Sequence, residues 1–236
     1  ESGILSRALT IFNALTKKPQ LFVDAYVNYD CDDSGNFKNT FEDTINRVVS
    51  ISFPDMVQTS IQRKALEVLV NVLGSLWFYF DNFKPSDDIK EAEKPQDFLD
   101  AKKTKNVFNH GLSIFKNSWK KGIKFFIDNK FCEDTPESIA KFLFNTPALS
   151  PAQIGEIIGN VDRTDVLKEF VKLFDFKSVS FENAFRAFLS KFQIPGEAQM
   201  IDRIMEQFGT KYYNDNPSVF SCADTVYVLA FSTLML

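Results

Sequence analysis

The chain has 236 residues, enough for one large helical domain or two smaller ones, each with its own core. Hydrophobic residues make up 44% and charged residues 25%, the balance of a folded globular chain and not of a disordered one. A net charge of −4 runs against the basic excess of a general nucleic-acid binder and is compatible with a partner that presents a basic surface.

The chain opens at Glu1 with mixed polar and apolar residues, so no signal peptide is read, and the missing initiator methionine is what a fragment of a longer polypeptide would show. Asp30-Cys31-Asp32-Asp33-Ser34-Gly35 imitates the start of a calcium loop. The twelfth position, which should bring a bidentate glutamate, is Phe41, and Glu42 falls one residue late, so no metal site is expected. Cys31, Cys132 and Cys222 lie far apart and form no CxxC pair, which suits free thiols in a reducing compartment.

Ile61, Ala65, Leu69, Val72, Leu76 and Phe80 recur at helical spacing and predict an amphipathic helix. From Lys84 to Asn106 the sequence is charged, carries Pro85 and Pro95, and reads as a linker. Beyond it, His110 stands alone and leaves little material for a histidine-based triad or a zinc site. Lys116, Lys120, Lys121 and Lys124 interleave with Phe115, Trp119 and Phe125, a pattern of either an ordinary helix with a solvated lysine face or a membrane-surface helix.

Two further stripes follow: Val166, Phe170, Val171 and Phe174, then Phe181, Ala184, Phe185, Phe188, Leu189 and Phe192, the latter preceded by Ser180 as an N-cap whose hydroxyl can satisfy a free amide. Helix breaks recur at Thr146-Pro147, Ser150-Pro151, Pro195-Gly196 and Asn216-Pro217. The final run, Thr225 to Leu236, is too short to span a bilayer and predicts a buried helix. The expected fold is therefore all-α in two helical units, 1–83 and 107–236, joined by a linker over 84–106. Neither GxxxxGK[ST] nor GxGxxG is present, and no cofactor is expected.

Phe192-Gln193-Ile194-Pro195-Gly196-Glu197-Ala198-Gln199-Met200-Ile201-Asp202-Arg203 resembles the signature of the Sec-seven domain, the catalytic domain of Arf guanine nucleotide exchange factors. Phe220 to Ser232 resembles the second motif of that family, and Gly122-Ile123-Lys124 with Ala140-Lys141-Phe142-Leu143 fits its opening helices. Upstream, Asn28-Tyr29-Asp30-Cys31-Asp32, Phe41-Glu42 and Arg63-Lys64-Ala65-Leu66 resemble the domain found just before Sec-seven in the large, brefeldin A-inhibited exchange factors.

The resemblance implies a right-handed helical Sec-seven domain, truncated at its C-terminal side, that promotes GDP release from an Arf-family GTPase. Glu197 would act as a glutamic finger on the loop formed by Pro195 and Gly196. Gln199, Asp202 and Arg203 would orient that loop, contact the GTPase, or serve internal hydrogen bonds. Tyr227, Phe231 and Met235 would line a groove for the GTPase switch regions or pack as core.

Asn28, Tyr29, Asp30 and Asp32 would form an interaction box for other domains of the same exchange factor, a membrane-bound GTPase or a neighbouring subunit. The family setting is cytoplasmic, with peripheral membrane association at Golgi or endosomal membranes. The alternative reading is a non-catalytic helical interaction or regulatory module of a trafficking scaffold. Phe231-Ser232 falls between the brefeldin-sensitive Tyr-Ser and the resistant Phe-Ala patterns of the family and decides neither.

Overall fold

The computed structural model describes residues 2–32, 39–53, 59–83 and 95–235, and every regular element among them is a helix. The chain divides into two compact units, Glu1–Asn106 and Val107–Leu236.

The first unit holds α1 (Ser2–Leu15), α2 (Pro19–Ala25), α3 (Thr40–Ser52) and α4 (Thr59–Asn82), together with the opening turns of α5 (Pro95–Asn117). α2 passes directly into a π-helical turn, Tyr26–Asp30. α1, α2 and α3 all pack on α4, around a core of Leu9, Phe22, Val48, Ile61, Ala65, Val68 and Val72. The buried stripe of α4 is thus Ile61, Ala65, Val68 and Val72, with Leu69 and Leu76 at its edge. Phe80, which the sequence pattern places on the same stripe, lies exposed.

The expected linker is helical from Pro95 onward. Proline suits a first helical turn, where its missing N–H costs nothing. Two charged residues of this stretch are contact residues: Lys102 reaches Glu42 at 3.0 Å, and Lys105 is buried and donates to the carbonyl of Tyr29.

The second unit continues from α5 through α6 (Trp119–Asp128), α7 (Pro136–Asn145), α8 (Pro151–Gly159), α9 (Thr164–Lys172), α10 (Phe181–Leu189), α11 (Ala198–Asp215) and α12 (Ala223–Met235). α11 packs on α8, α9 and α12 and buries Ile204, Met205, Phe208 and Tyr212. Phenylalanine builds much of the surrounding core. Phe126 lies 4.8 Å from Phe142 and Phe188 lies 5.0 Å from Phe208, centroid to centroid, in the separation range where aromatic pairs attract.

The stripe Val166, Phe170, Val171 and Phe174 is wholly buried, and Ala184, Phe185, Phe188 and Phe192 are buried on the next. Ser180 occupies the N-cap of α10, but its hydroxyl makes no capping bond; its carbonyl instead accepts from Ala184 N–H at 2.9 Å. Lys116, Lys120, Lys121 and Lys124 are exposed while Phe115 is fully buried, so this helical region turns its aromatics inward. α12 is only half-buried: Val226 and Ala230 are covered, whereas Val228, Leu229 and Met235 are exposed. No described helix is long and apolar enough to cross a membrane.

Candidate functional site

Between α10 and α11 the chain makes an irregular loop from Ser190 to Glu197. Phe192 is buried at its root, packed 5.1 Å from Phe188, and Gln193 N–H donates to Pro151 O at 2.9 Å, tying the loop to the start of α8. The approach is closer than any side chain would permit. A Cβ on Gly155 would stand 1.9 Å from the Gln193 carbonyl oxygen, and one on Gly159 would stand 2.8 Å from Met200 Cβ. These glycines, four residues apart on α8, leave a bare strip on which the loop and the first turn of α11 rest. Arg203 completes the seat, donating from Nε at 3.0 Å and Nη2 at 2.7 Å to Gly159 O. That oxygen lies in the last turn of α8, where carbonyls lack helical partners and a cation complements the dipole.

On this seat Pro195 is buried and Gly196, Glu197, Ala198 and Gln199 are exposed. Glu197 is the N-cap residue of α11, with extended backbone at φ −94° and ψ 123°. Its carbonyl accepts from Met200 N–H at 3.0 Å and Ile201 N–H at 3.1 Å, but its carboxylate makes no capping bond. The site therefore presents an exposed carboxylate at the head of an 18-residue helix, on a loop held from behind.

Asp202, one turn further along α11, accepts a hydrogen bond from the Tyr227 hydroxyl of α12. That bond, with some burial and the negative charges of Asp202 and Glu206, pushes the phenol above its ordinary range. α12 reaches α11 at another glycine: a Cβ on Gly209 would lie 3.0 Å from Tyr227 N. Tyr227 and Phe231 are half-buried with their rings 6.1 Å apart, and Met235 is 56% exposed. The three residues descend one face of α12 from half-buried to open. At the head of α12, Cys222 is exposed, and hydrogen bonding with Thr225 lowers its thiol pKa.

The upstream box lies in the first unit and splits by orientation. Asn28 and Tyr29 face outward, Asp32 is half-buried, and Asp30 is fully buried. Asp30 Oδ1 accepts from Phe41 N–H and Oδ2 from Glu42 N–H, both at 2.9 Å, so this carboxylate caps α3 from outside the helix. Lys102 lies 3.8 Å from Asp30 and 4.5 Å above the Tyr26 ring. Asp30 is thus an internal support of the fold. Asp33, Ser34 and Gly35 of the calcium-loop imitation lie outside the described residues.

Gly155, Gly159 and Gly209 are the site residues that sequence motifs missed. Their signal was present: glycine inside a helix costs about 1 kcal/mol against alanine, and two in a nine-residue helix call for a packing reason.

A family model described as the Sec7 (Sec-seven) domain matches residues 104–236, a span that holds the Glu197 loop, its seat on α8 and the α11–α12 pair. The chain belongs to the Sec7 domain family. Among its relatives, brefeldin A-inhibited guanine nucleotide-exchange protein 1 of Homo sapiens is 31% identical over 278 aligned residues, covering 92% of this chain and 15% of the human protein. The ADP-ribosylation factor guanine nucleotide-exchange factor sec71 of Schizosaccharomyces pombe is 28% identical, covering 97% of this chain and 18% of its own length.

These alignments extend beyond the Sec7 match into the first unit, yet the chain spans under a fifth of either relative. Two solved structures align with the Sec7 unit. The Sec7p catalytic domain is 41% identical with a TM-score of 0.51, covering 53% of this chain and 71% of that one. A structure of ARF1-GDP bound to a Sec7 domain complexed with brefeldin A gives 40% identity and a TM-score of 0.55, covering 57% and 70%.

Proposed function

We propose that this chain belongs to an exchange factor that releases GDP from an Arf-family GTPase, with Glu197 as the glutamic finger. The observation that carries this reading is the exposed, uncapped carboxylate of Glu197 on a loop seated against Gly155 and Gly159. Rigid backing matters because a charge used to displace a ligand must hold its position against that ligand. Picomolar nucleotide binding corresponds to roughly 16 kcal/mol, much of it from magnesium and phosphate contacts. A carboxylate brought up to the β-phosphate repels it and competes for the phosphate-binding lysine, and excluding water strengthens both effects. No covalent bond changes.

Tyr227, Phe231 and Met235 would hold the GTPase switch regions while the nucleotide is absent, with Asp202 keeping Tyr227 in place through their hydrogen bond. Because coupling is reciprocal, incoming GTP would release the exchange factor as much as the factor released GDP. The Sec7 domain solved with ARF1-GDP supports the choice of GTPase. In this reading Gln199 contacts the GTPase, and Arg203 holds the loop from within. Asn28, Tyr29 and Asp32 remain as the accessible part of a contact with other domains of the same factor. The work would take place on the cytoplasmic side of Golgi or endosomal membranes, with peripheral association.

The test is release of a fluorescent GDP analogue from an Arf-family GTPase, using this chain, a version extended past Leu236, and the extended version carrying Glu197→Lys. Acceleration by the extended protein that Glu197→Lys abolishes supports the finger. Full acceleration by the Glu197→Lys variant would remove it.

A further inference from the structure

The loop that carries Glu197 has a cavity behind its opening residues. About 480 Å³ in volume, it lies between the end of α7, the start of α8 and the pair Ser190-Lys191. Leu143, Leu149 and Ile154, all buried core residues, form its apolar wall. Pro151 lines it too, and the carbonyl of Pro151 holds Gln193 N–H, so the cavity adjoins the tie between the loop and α8.

Two polar groups on this cavity lack the partners their chemistry calls for. Thr146 is only 9% exposed, yet its hydroxyl makes no hydrogen bond among the described residues. A hydroxyl so deeply covered ordinarily finds a partner. Lys191 pairs with no carboxylate among the described residues: its ammonium lies 4.1 Å from the centre of the Phe144 ring and 3.5 Å from Phe144 O, beyond the usual N–H···O range. Ser190, by contrast, already donates to Ala187 O at 2.7 Å. A bridging water, whose share of liquid volume is about 30 Å³, would satisfy Thr146 and leave most of the apolar wall uncovered.

We infer that the cavity takes a small monocarboxylate with an apolar chain. One carboxylate oxygen would accept from Thr146 Oγ1 and the other would pair with Lys191 Nζ, while the chain lies along Leu149 and Ile154. Apolar walls with a few convergent polar groups are the usual seat of a small ligand. Lys191 is exposed and flexible, so it can leave its weak ring and carbonyl contacts for a charge-assisted bond. One cation and one hydroxyl match a single negative charge, whereas a doubly charged phosphate would be left half-neutralised. The bound carboxylate would tie the end of α7 to the loop at Lys191, beside the Gln193–Pro151 bond, and so hold the loop more firmly. That this firmness bears on exchange rests on the role proposed for Glu197; the binding itself does not.

Octanoate, titrated against the 236-residue chain, tests the site, with octanol and inorganic phosphate as counterparts that lack the charge or the chain. Saturable binding of octanoate alone is expected, shifting the amide signals of Thr146, Leu149 and Lys191 and slowing hydrogen exchange at Gln193 N–H. Lys191→Gln and Thr146→Val should each weaken it about tenfold without moving the melting temperature, and Lys191→Arg should keep it. Glu197→Lys should bind octanoate as the parent does, so a Glu197 with no part in exchange would leave this result standing. No binding, equal binding of octanol or phosphate, or binding that Lys191→Gln and Thr146→Val leave unchanged would overturn the proposal. So would shifts confined to the apolar groove between α1 and α3, where Arg47 is the cation.

Discussion

Arg203 on α11 grips the carbonyl oxygen of Gly159 on α8 with two guanidinium nitrogens, at 3.0 and 2.7 Å. The contact joins the helix that begins at Glu197 to the helix on which its loop rests. Arg203→Lys keeps the charge but loses the planar fork, so the start of α11 should loosen while the α12 face stays intact. Exchange should fall about tenfold at saturating GTPase, with little change in the GTPase concentration giving half the maximal rate. Steady-state GDP release against GTPase concentration separates these two quantities.

Gly155→Ala is expected to act harder from further away. Its methyl group would stand 1.9 Å from the Gln193 carbonyl oxygen, and a backbone atom cannot rotate aside. Overpacking of this kind costs about 1–3 kcal/mol, and relief requires displacing the loop. Thermal denaturation and GDP release should therefore decline together.

Glu197→Gln is predicted to separate the two. The carboxylate is exposed and makes no capping bond, so stability should change by no more than about 0.5 kcal/mol. Exchange should drop about a hundredfold, the scale on which a single placed charged or polar group acts in a water-excluded site. An unchanged melting curve beside a lost rate is the expected pair of results.

The sequence displayed the Glu197 loop and concealed its seat. Pro195-Gly196-Glu197 is a contiguous motif, and the stripes of α9 and α10 follow from spacing alone because one continuous core covers them. The seat is assembled from residues some forty positions apart, Gly155 with Gln193 and Gly159 with Arg203 and Met200, and no local pattern announces such pairs. Phe80 misled for a related reason: helical periodicity marks an apolar face but not whether a neighbour covers it, and α4 has two such faces. Residues 95–106 read as a linker because the stretch is charged and opens on a proline, whereas the partners of Lys102 and Lys105 lie on α3 and the π-helical turn, more than fifty residues upstream.

Thiol reactivity offers a check that needs no GTPase. Burial, with the charge of Asp134 added, pushes the Cys132 thiol up to about 11, and burial also raises Cys31. Cys222 is exposed and lowered by its hydrogen bonding with Thr225. The thiolate is the reacting form, so one cysteine should be labelled rapidly in mildly alkaline buffer and the other two only on unfolding. Peptide mapping after a short pulse of alkylating reagent should find the label on Cys222.

Asp30→Asn tests the cap of α3. The amide offers one acceptor oxygen where the carboxylate offers two, and its NH2 group would face a backbone N–H of Phe41 or Glu42. Lys102 would also lose the nearby charge. A loss of about 2–4 kcal/mol is expected in urea denaturation, which an Asn28→Ala control at an exposed position should not reproduce.

The bare strip on α8 also bears on how such a protein can change over generations. Glu197 and its exposed neighbours can be exchanged with little structural penalty, so the tip is free to vary wherever selection on activity relaxes. Gly155 and Gly159 have no such freedom, since the smallest added side chain collides with the loop or with Met200. If the proposed exchange activity were lost by drift, the mark would accordingly fall at the tip first, while the glycines beneath persisted.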